Sequence, residues 1–447
     1  MKISIFTTLL ALLTLSALGA DQWKLSVSAN QRYLQHDDGR PFFWLGDTGW
    51  LLAHKLNRRE ICLYLDDCQR NEMNVVQVQV ITGDGKEPNW RKMDFIVREA
   101  EQRGIYIAMV AVWGSQVKNG NMTAERAAEY GRFLARRYAH HPNIIWLMGG
   151  DIQGDIHPEV WDSLALNIKR IDQQHLMTFH PRGRTFSAKW FNNREWMDFN
   201  MFQSGHRRYN QRGNDKAYPI PEGTEEDNYQ YVDSCLRYRP LRPVLDGEPS
   251  YENIPQGLHN TKEPKWQAAD VRRYAYWSVF AGSCGHTYGN NEIMQFVGDT
   301  ETEGAYGADG TQKSWRQALQ DPGRRQMKHL KRLMELFPLE EIRPAQQLIM
   351  NNGKGHERVA ACRGNRFALI YNYCNLDYMV DFSQFDCQQL SIYTMNPVTG
   401  VFNYFGDVSN IPMSMLSEAE NGKTDDEVII VIDASAKEMR ERLPIAK

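Results

Sequence analysis

The chain has 447 residues and a formal net charge of −3. One ordinary domain rarely grows that long, so two are expected, and the near-balanced charge leaves no broad basic field for nucleic acid. Aromatic residues make up 11%, with 12 Trp and 20 Tyr, a supply that serves stacking on flat sugar faces as well as a large core.

Residues 1–20 read as an export signal. Lys2 gives a positive start, residues 3–18 form an uncharged, mostly apolar run, and Ala17-Leu18-Gly19 or Leu18-Gly19-Ala20 offers a cleavage site. That run is short for a membrane span and no second one follows. The mature chain is expected to start near Ala20 or Asp21 and to be periplasmic or secreted.

Residues 21–41 suggest a small hairpin with its turn at Asp37-Asp38-Gly39. A regular alternation follows. Apolar strands are expected at 42–46, 75–81, 105–112, 144–148, 176–179, 198–202, from 244, and at 284–288. Amphipathic helices separate most of them, at 58–71, 92–103, 124–139, 158–173, 225–237 and 270–281, with a last one at 324–337. Thr123 is placed to cap the helix that follows it. Near-continuous apolar strands alternating with helices mean a parallel sheet. Eight such units close most economically into a (β/α)₈ TIM barrel spanning residues 21–342; an open doubly wound sheet is the alternative. After Pro344 the pattern changes to short strands divided by turns such as Asn352-Gly353 and Arg363-Gly364-Asn365. Residues 343–447 therefore read as a small C-terminal β-sandwich.

Seven cysteines are scattered at Cys62, Cys68, Cys235, Cys284, Cys362, Cys374 and Cys387. Their spacing matches no metal motif and favours buried thiols. No metal or other cofactor is expected. The chain also lacks a phosphate-binding glycine loop and a G-x-S-x-G nucleophile elbow.

In such barrels the active site lies at the carboxyl ends of the strands. Here those ends carry Asp47, Trp50, Gln79, Trp113, Asp151, His180, Gln203, His206, Glu248, Glu252, His286 and Tyr288. Two ends share a pattern. I-I-W-L-M-G-G-D ends at Asp151, and P-V-L-D-G-E ends at Glu248, each an apolar run, then glycine, then acid. Paired carboxyls across one pocket are what glycoside hydrolysis needs, one as nucleophile and one as acid/base. Asp155 and Glu252 stand four residues further on as understudies, and Asp246 is expected in a structural ion pair. The other strand-end residues are candidates for substrate binding, Trp50, Trp113 and Tyr288 as stacking platforms and the histidines as partners of sugar hydroxyls. Arg182, Arg184, Arg207 and Arg208 are read as solvated rather than as readers of an acidic sugar.

The stretches P-F-F-W-L-G-D-T-G-W (residues 41–50), H-H-P-N-I-I-W-L-M-G-G-D (140–151) and P-V-L-D-G-E-P-S-Y-E (243–252) resemble the apiosidase-like catalytic domain of glycoside hydrolase family 140. The tail resembles the small domain, labelled collagen-binding, that accompanies it; an accessory sandwich buttressing the barrel is the role read for it here. The resemblance implies a (β/α)₈ barrel with Asp151 as acid/base and Glu248 as nucleophile. It further implies endo-acting apiosidase activity on the pectin rhamnogalacturonan II. The loop at 207–226 matches no motif, so no specificity residue is carried over from it. Two rivals remain at this stage: a non-catalytic carbohydrate- or matrix-binding protein, and a lyase or metal-dependent hydrolase on the same barrel.

Overall fold

The computed structural model describes residues 23–211, 225–258, 260–298, 313–415 and 426–445. The export signal at 1–20 and the middle of the loop at 207–226 lie outside the described residues.

Eight parallel strands form the centre: β1 (Trp44–Thr48), β2 (Val75–Ile81), β3 (Tyr106–Val112), β4 (Ile144–Ile152), β5 (Met177–Pro181), β6 (Asn200–Gln203), β7 (Val244–Asp246) and β8 (Gly285–Tyr288). Each ladder joins neighbours in sequence, and β8 pairs with β1, which an open doubly wound sheet does not do. The remaining gap, between β5 and β6, is bridged by the Asp198 N–H donating to the Met177 carbonyl at 2.9 Å. The Thr178 hydroxyl donates to the Phe199 carbonyl at 2.5 Å beside it. The sheet is thus a nearly closed TIM barrel. A three-stranded antiparallel meander (Leu25–Val27, Leu34–His36, Pro41–Phe42) precedes it.

Side chains in the strands alternate between lumen and helix layer. In β2, Val75 packs in the lumen with Trp44, Val110 and Leu147, while Val76, Val78 and Val80 pack beneath the helices. The helices are α1 (Arg58–Arg70), α2 (Trp90–Glu101), α3 (Ala124–Tyr138), α4 (Pro158–Lys169), α5 (Tyr229–Leu236), α6 (Ala268–Phe280) and α7 (Pro322–Glu335). Local chemistry starts them. Asn57 and Glu60 form a reciprocal capping box on α1, and Thr123 accepts from the Arg126 N–H on α3. Each cap contributes about 1 kcal/mol.

The C-terminal region is a six-stranded antiparallel sheet faced by a two-stranded one, Tyr378–Asp381 with Pro412–Met415. Strand Phe367–Asn372 shows how the large sheet is used. Ala368 and Ile370 face the small sheet, whereas Phe367, Leu369 and Tyr371 join the core of the barrel's helix layer. Tyr371 stacks on Tyr276 with centroids 4.5 Å apart, and Phe367 stacks on Phe337 at 4.5 Å. A buried ion pair, Arg272 to Asp426 at 2.7 Å, crosses the same contact. Both faces of this strand are therefore apolar and buried. All seven cysteines are free thiols, and Cys68, Cys235, Cys284 and Cys362 are buried.

Candidate active site

A cleft of about 490 Å³ opens at the carboxyl ends of the strands. Asp151 and Glu248 both line it, together with Trp50, Gln79, Trp113, Gln203 and His206. Glycines aim Asp151. Gly149 and Gly150 have φ of 87° and 108°, and a Cβ on either would strike the His180 carbonyl at 2.3 Å or the Trp113 ring at 2.8 Å. Asp151 itself takes φ 56° at the bulge where β4 slips register against β5. This bent backbone turns the carboxyl into the cleft, where it is open to solvent.

Glu248 is nearly buried and meets two imidazoles. His206 Nε2 lies 3.3 Å from Oε1 and His180 Nε2 lies 3.2 Å from Oε2, the latter at an oblique angle. Facing a carboxylate, His206 Nε2 carries the proton and donates, while His180 Nε2 sits against the other oxygen without an aligned hydrogen bond. Burial alone would raise the Glu248 carboxyl, but the two histidines outweigh it and hold it down at about 2. Asp151 moves the other way. Although solvent reaches it, the walls of the cleft crowd the Asp151 carboxyl and strip part of its hydration, which pushes it above the usual carboxylate range; the Glu248 charge adds to this, while His180, His206 and Arg182 act the other way. The two carboxyls are thus biased in opposite directions, Glu248 toward its ionised form and Asp151 toward its protonated one.

Aromatic side chains floor the cleft. Trp50 meets Trp113 edge-on at 5.4 Å, and its Nε1–H donates to the Tyr251 hydroxyl at 3.1 Å. Tyr251 has its hydroxyl pushed well up by burial and by the Glu248 charge. Arg182, Arg184, Arg207 and Glu225 form a charged section of the lining. Arg184 Nε reaches Glu225 at 3.1 Å, and Arg207 reaches it at 3.3 Å.

Four expected cleft residues face elsewhere. Asp47 points outward from β1 and is fully buried under α7, accepting from the Tyr64 hydroxyl at 2.6 Å and pairing with Arg324 at 2.5 Å. Tyr288 and His286 point outward from β8. Tyr288 donates to Glu252 at 2.5 Å, and Glu252 also accepts from the Gly323 N–H at 3.2 Å, so this acid ties β8 to α7. His286 is wholly buried, which depresses it to about 3 and keeps it neutral. The strand period of two explains these misplacements, because a residue can end a strand and still face the helices. His180 is also fully buried; it touches Glu248 and the Trp50 ring without lining the cleft.

Among the described residues Asp246 has no ion-pair partner. Its Oδ2 accepts from Asn228 at 2.9 Å and Ser204 at 3.1 Å, and burial raises it to about 7. Asp155 is exposed and lies outside the cleft lining. The arginines are not simply solvated: Arg184 is buried against Glu225, and Arg208 pairs with Glu263 at 2.9 Å. Glu225 and Tyr251 escaped the sequence reading. Tyr251 sits inside the P-S-Y-E stretch and had a local signal, whereas Glu225 stands before a helix with nothing to mark it. Among the described residues no group of three or more His, Cys, Asp or Glu side chains is arranged to hold a metal ion, and no helix is long and apolar enough to cross a membrane.

No curated protein matches the chain. Among solved structures it is 48% identical to one described as a glycoside hydrolase family 5 protein from Bacteroides vulgatus ATCC 8482, with a TM-score of 0.90 over 93% of this chain and 96% of that one. A second, described as a glycoside hydrolase, is also 48% identical, with a TM-score of 0.89 over 93% and 98%. Residues 343–432 match the family model "Putative collagen-binding domain of a collagenase". Residues 28–341, which contain every part of the cleft, match the model "Apiosidase-like, catalytic domain". The chain is a glycoside hydrolase and belongs to the apiosidase-like catalytic-domain family.

Proposed function

We propose that this hydrolase works by retention, with Asp151 as acid/base and Glu248 as nucleophile, and that it acts on plant cell-wall pectin such as rhamnogalacturonan II. The observation that carries the reading is the opposed bias of the two carboxyls in one cleft, Glu248 held down at about 2 and Asp151 raised. In the first step the Glu248 carboxylate attacks the anomeric carbon while Asp151 gives its proton to the departing glycosidic oxygen. That bond breaks and a glycosyl ester forms on Glu248. In the second step Asp151 takes a proton from water, the water oxygen attacks the same carbon, and the Glu248 carboxylate leaves. Trp50 and Trp113 give the sugar faces to stack on. Arg182 and Arg207 in the lining suit a substrate rich in uronate. The motif resemblance supports placement in glycoside hydrolase family 140, and residues 1–20 support export of a two-part mature chain, 21–342 and 343–447.

The test incubates wild type, Glu248→Gln and Asp151→Asn with pectic and other plant polysaccharides and follows released reducing sugar. Wild type should release sugar from a pectic substrate with retention at the anomeric carbon. Asp151→Asn should lose on the order of 10²–10⁴ in rate, and Glu248→Gln at least as much. Full activity in both folded variants would discard the pair. An ultraviolet-absorbing unsaturated product would replace hydrolysis by elimination.

A further inference from the structure

A buried carboxylate outside the catalytic pair joins the two domains beside the cleft. Glu226 is 1% exposed. It accepts from the Tyr209 N–H at 2.7 Å and from Arg273 Nη2 at 2.6 Å, and His356 Nε2 lies 2.6 Å away. An oxygen shared with an arginine leaves room only for a protonated nitrogen, so His356 donates. His356 belongs to the C-terminal domain, on the single turn Gly355–Glu357. The Tyr209 and Tyr373 rings flank it at 5.2 and 5.7 Å. Tyr209 also donates its hydroxyl to Asp227 at 2.5 Å.

The neighbouring acid extends the arrangement. Glu225 accepts from the Arg207 N–H at 2.8 Å. Glu225 and Glu226 thus hold two alternate backbone amides, Arg207 and Tyr209, in the segment that follows β6. This segment places His206 3.3 Å from Glu248 and puts Arg207 in the cleft lining. An acidic clip on the barrel is therefore held from outside by a donor from the other domain.

We infer that the C-terminal domain is a working part of the cleft: His356, acting through Glu226, is a positioning residue that fixes the segment carrying His206 and Arg207. Its kinetic consequence rests on the mechanism and substrate proposed above; its structural consequence does not. His356 keeps 44% of its side chain exposed, so it can be replaced without opening a core.

The experiment compares His356→Ala and His356→Gln with wild type. Hydrogen exchange without substrate should show peptides spanning 205–211 exchanging faster in His356→Ala, by on the order of ten-fold for loss of one charge-assisted contact. KM on the polysaccharide that wild type cleaves should rise roughly three- to ten-fold, with kcat less affected. His356→Gln keeps an N–H of similar reach and should restore both. Exchange and KM unchanged in His356→Ala would overturn the inference. So would equal losses in the Ala and Gln variants, which would mark mere destabilisation. If wild type cleaved no pectic glycan, the substrate proposed above would fail, while fast exchange with rescue by Gln would still support the positioning role.

Discussion

The two imidazoles on Glu248 make a quantitative prediction. The carboxyl is held at about 2 against an ordinary 4.5, a differential of roughly 3 kcal/mol at about 1.4 kcal/mol per pKa unit. Burial works against the two imidazoles, so together they contribute more than this net difference. In His206→Ala the Glu248 carboxyl should rise from about 2, and in the double variant with His180→Ala burial is left unopposed by either imidazole, so it should rise above its ordinary value. The proposed mechanism needs Glu248 ionised, so activity should be lost as pH falls through its folded pKa. The same sign governs folding. A depressed carboxyl contributes stability above its unfolded value of 4.5, and this is lost as pH falls from there through about 2. In the same proposed mechanism the alkaline limb is assigned to Asp151, whose proton should be lost as pH rises through its raised pKa. The assay is kcat/KM on the responding polysaccharide from acid to neutral pH, for wild type and both variants. The acid limb should climb from wild type to single to double variant. An identical acid limb in all three would refute the reasoning, as would a wild-type limb already near the ordinary carboxylate range.

Three further outcomes follow from particular contacts. Asp47→Ala removes one of the two carboxylates that hold the fully buried Arg324, leaving Asp67 at 2.6 Å, and should cost about 1–3 kcal/mol in thermal unfolding with KM unchanged; a specific rise in KM would return Asp47 to the substrate. Gly150→Ala forces a side chain onto φ 108° with its Cβ 2.8 Å from Trp113. It should lose about 1–3 kcal/mol of stability together with a large drop in kcat, because Trp113 and Asp151 move. Asp426→Ala leaves Arg272 buried without its carboxylate and should lower stability by about 3–5 kcal/mol in denaturant melts, by loosening the contact between the domains.

The barrel was legible because its strands announce themselves locally. V-V-Q-V-Q-V-I in β2 carries its apolar run and its alternation in seven residues, and Asn57 and Thr123 mark helix starts within one turn. The G-G-D and D-G-E strand ends were legible for the same reason, since glycine before an acid marks backbone bent at a strand terminus. The orientation of the other strand-end residues was not. Asp47 and Tyr288 carry the chemistry of cleft residues and face the helix layer, where Arg324 and Glu252 receive them.

The sequence by itself determined the elements, their order and the two acids at strand ends, because helix caps, apolar period and glycine turns act over a few residues. Tertiary structure alone decided which polar side chains share the cleft. Two histidines from β5 and the segment after β6 converge on Glu248, Glu225 claims Arg184 and Arg207, and His356 reaches Glu226 across 130 positions of chain. Such contacts depend on strand stagger and on how one domain seats on another. The charges that set the two carboxyls apart come from side chains distant in sequence, so no local pattern encodes them.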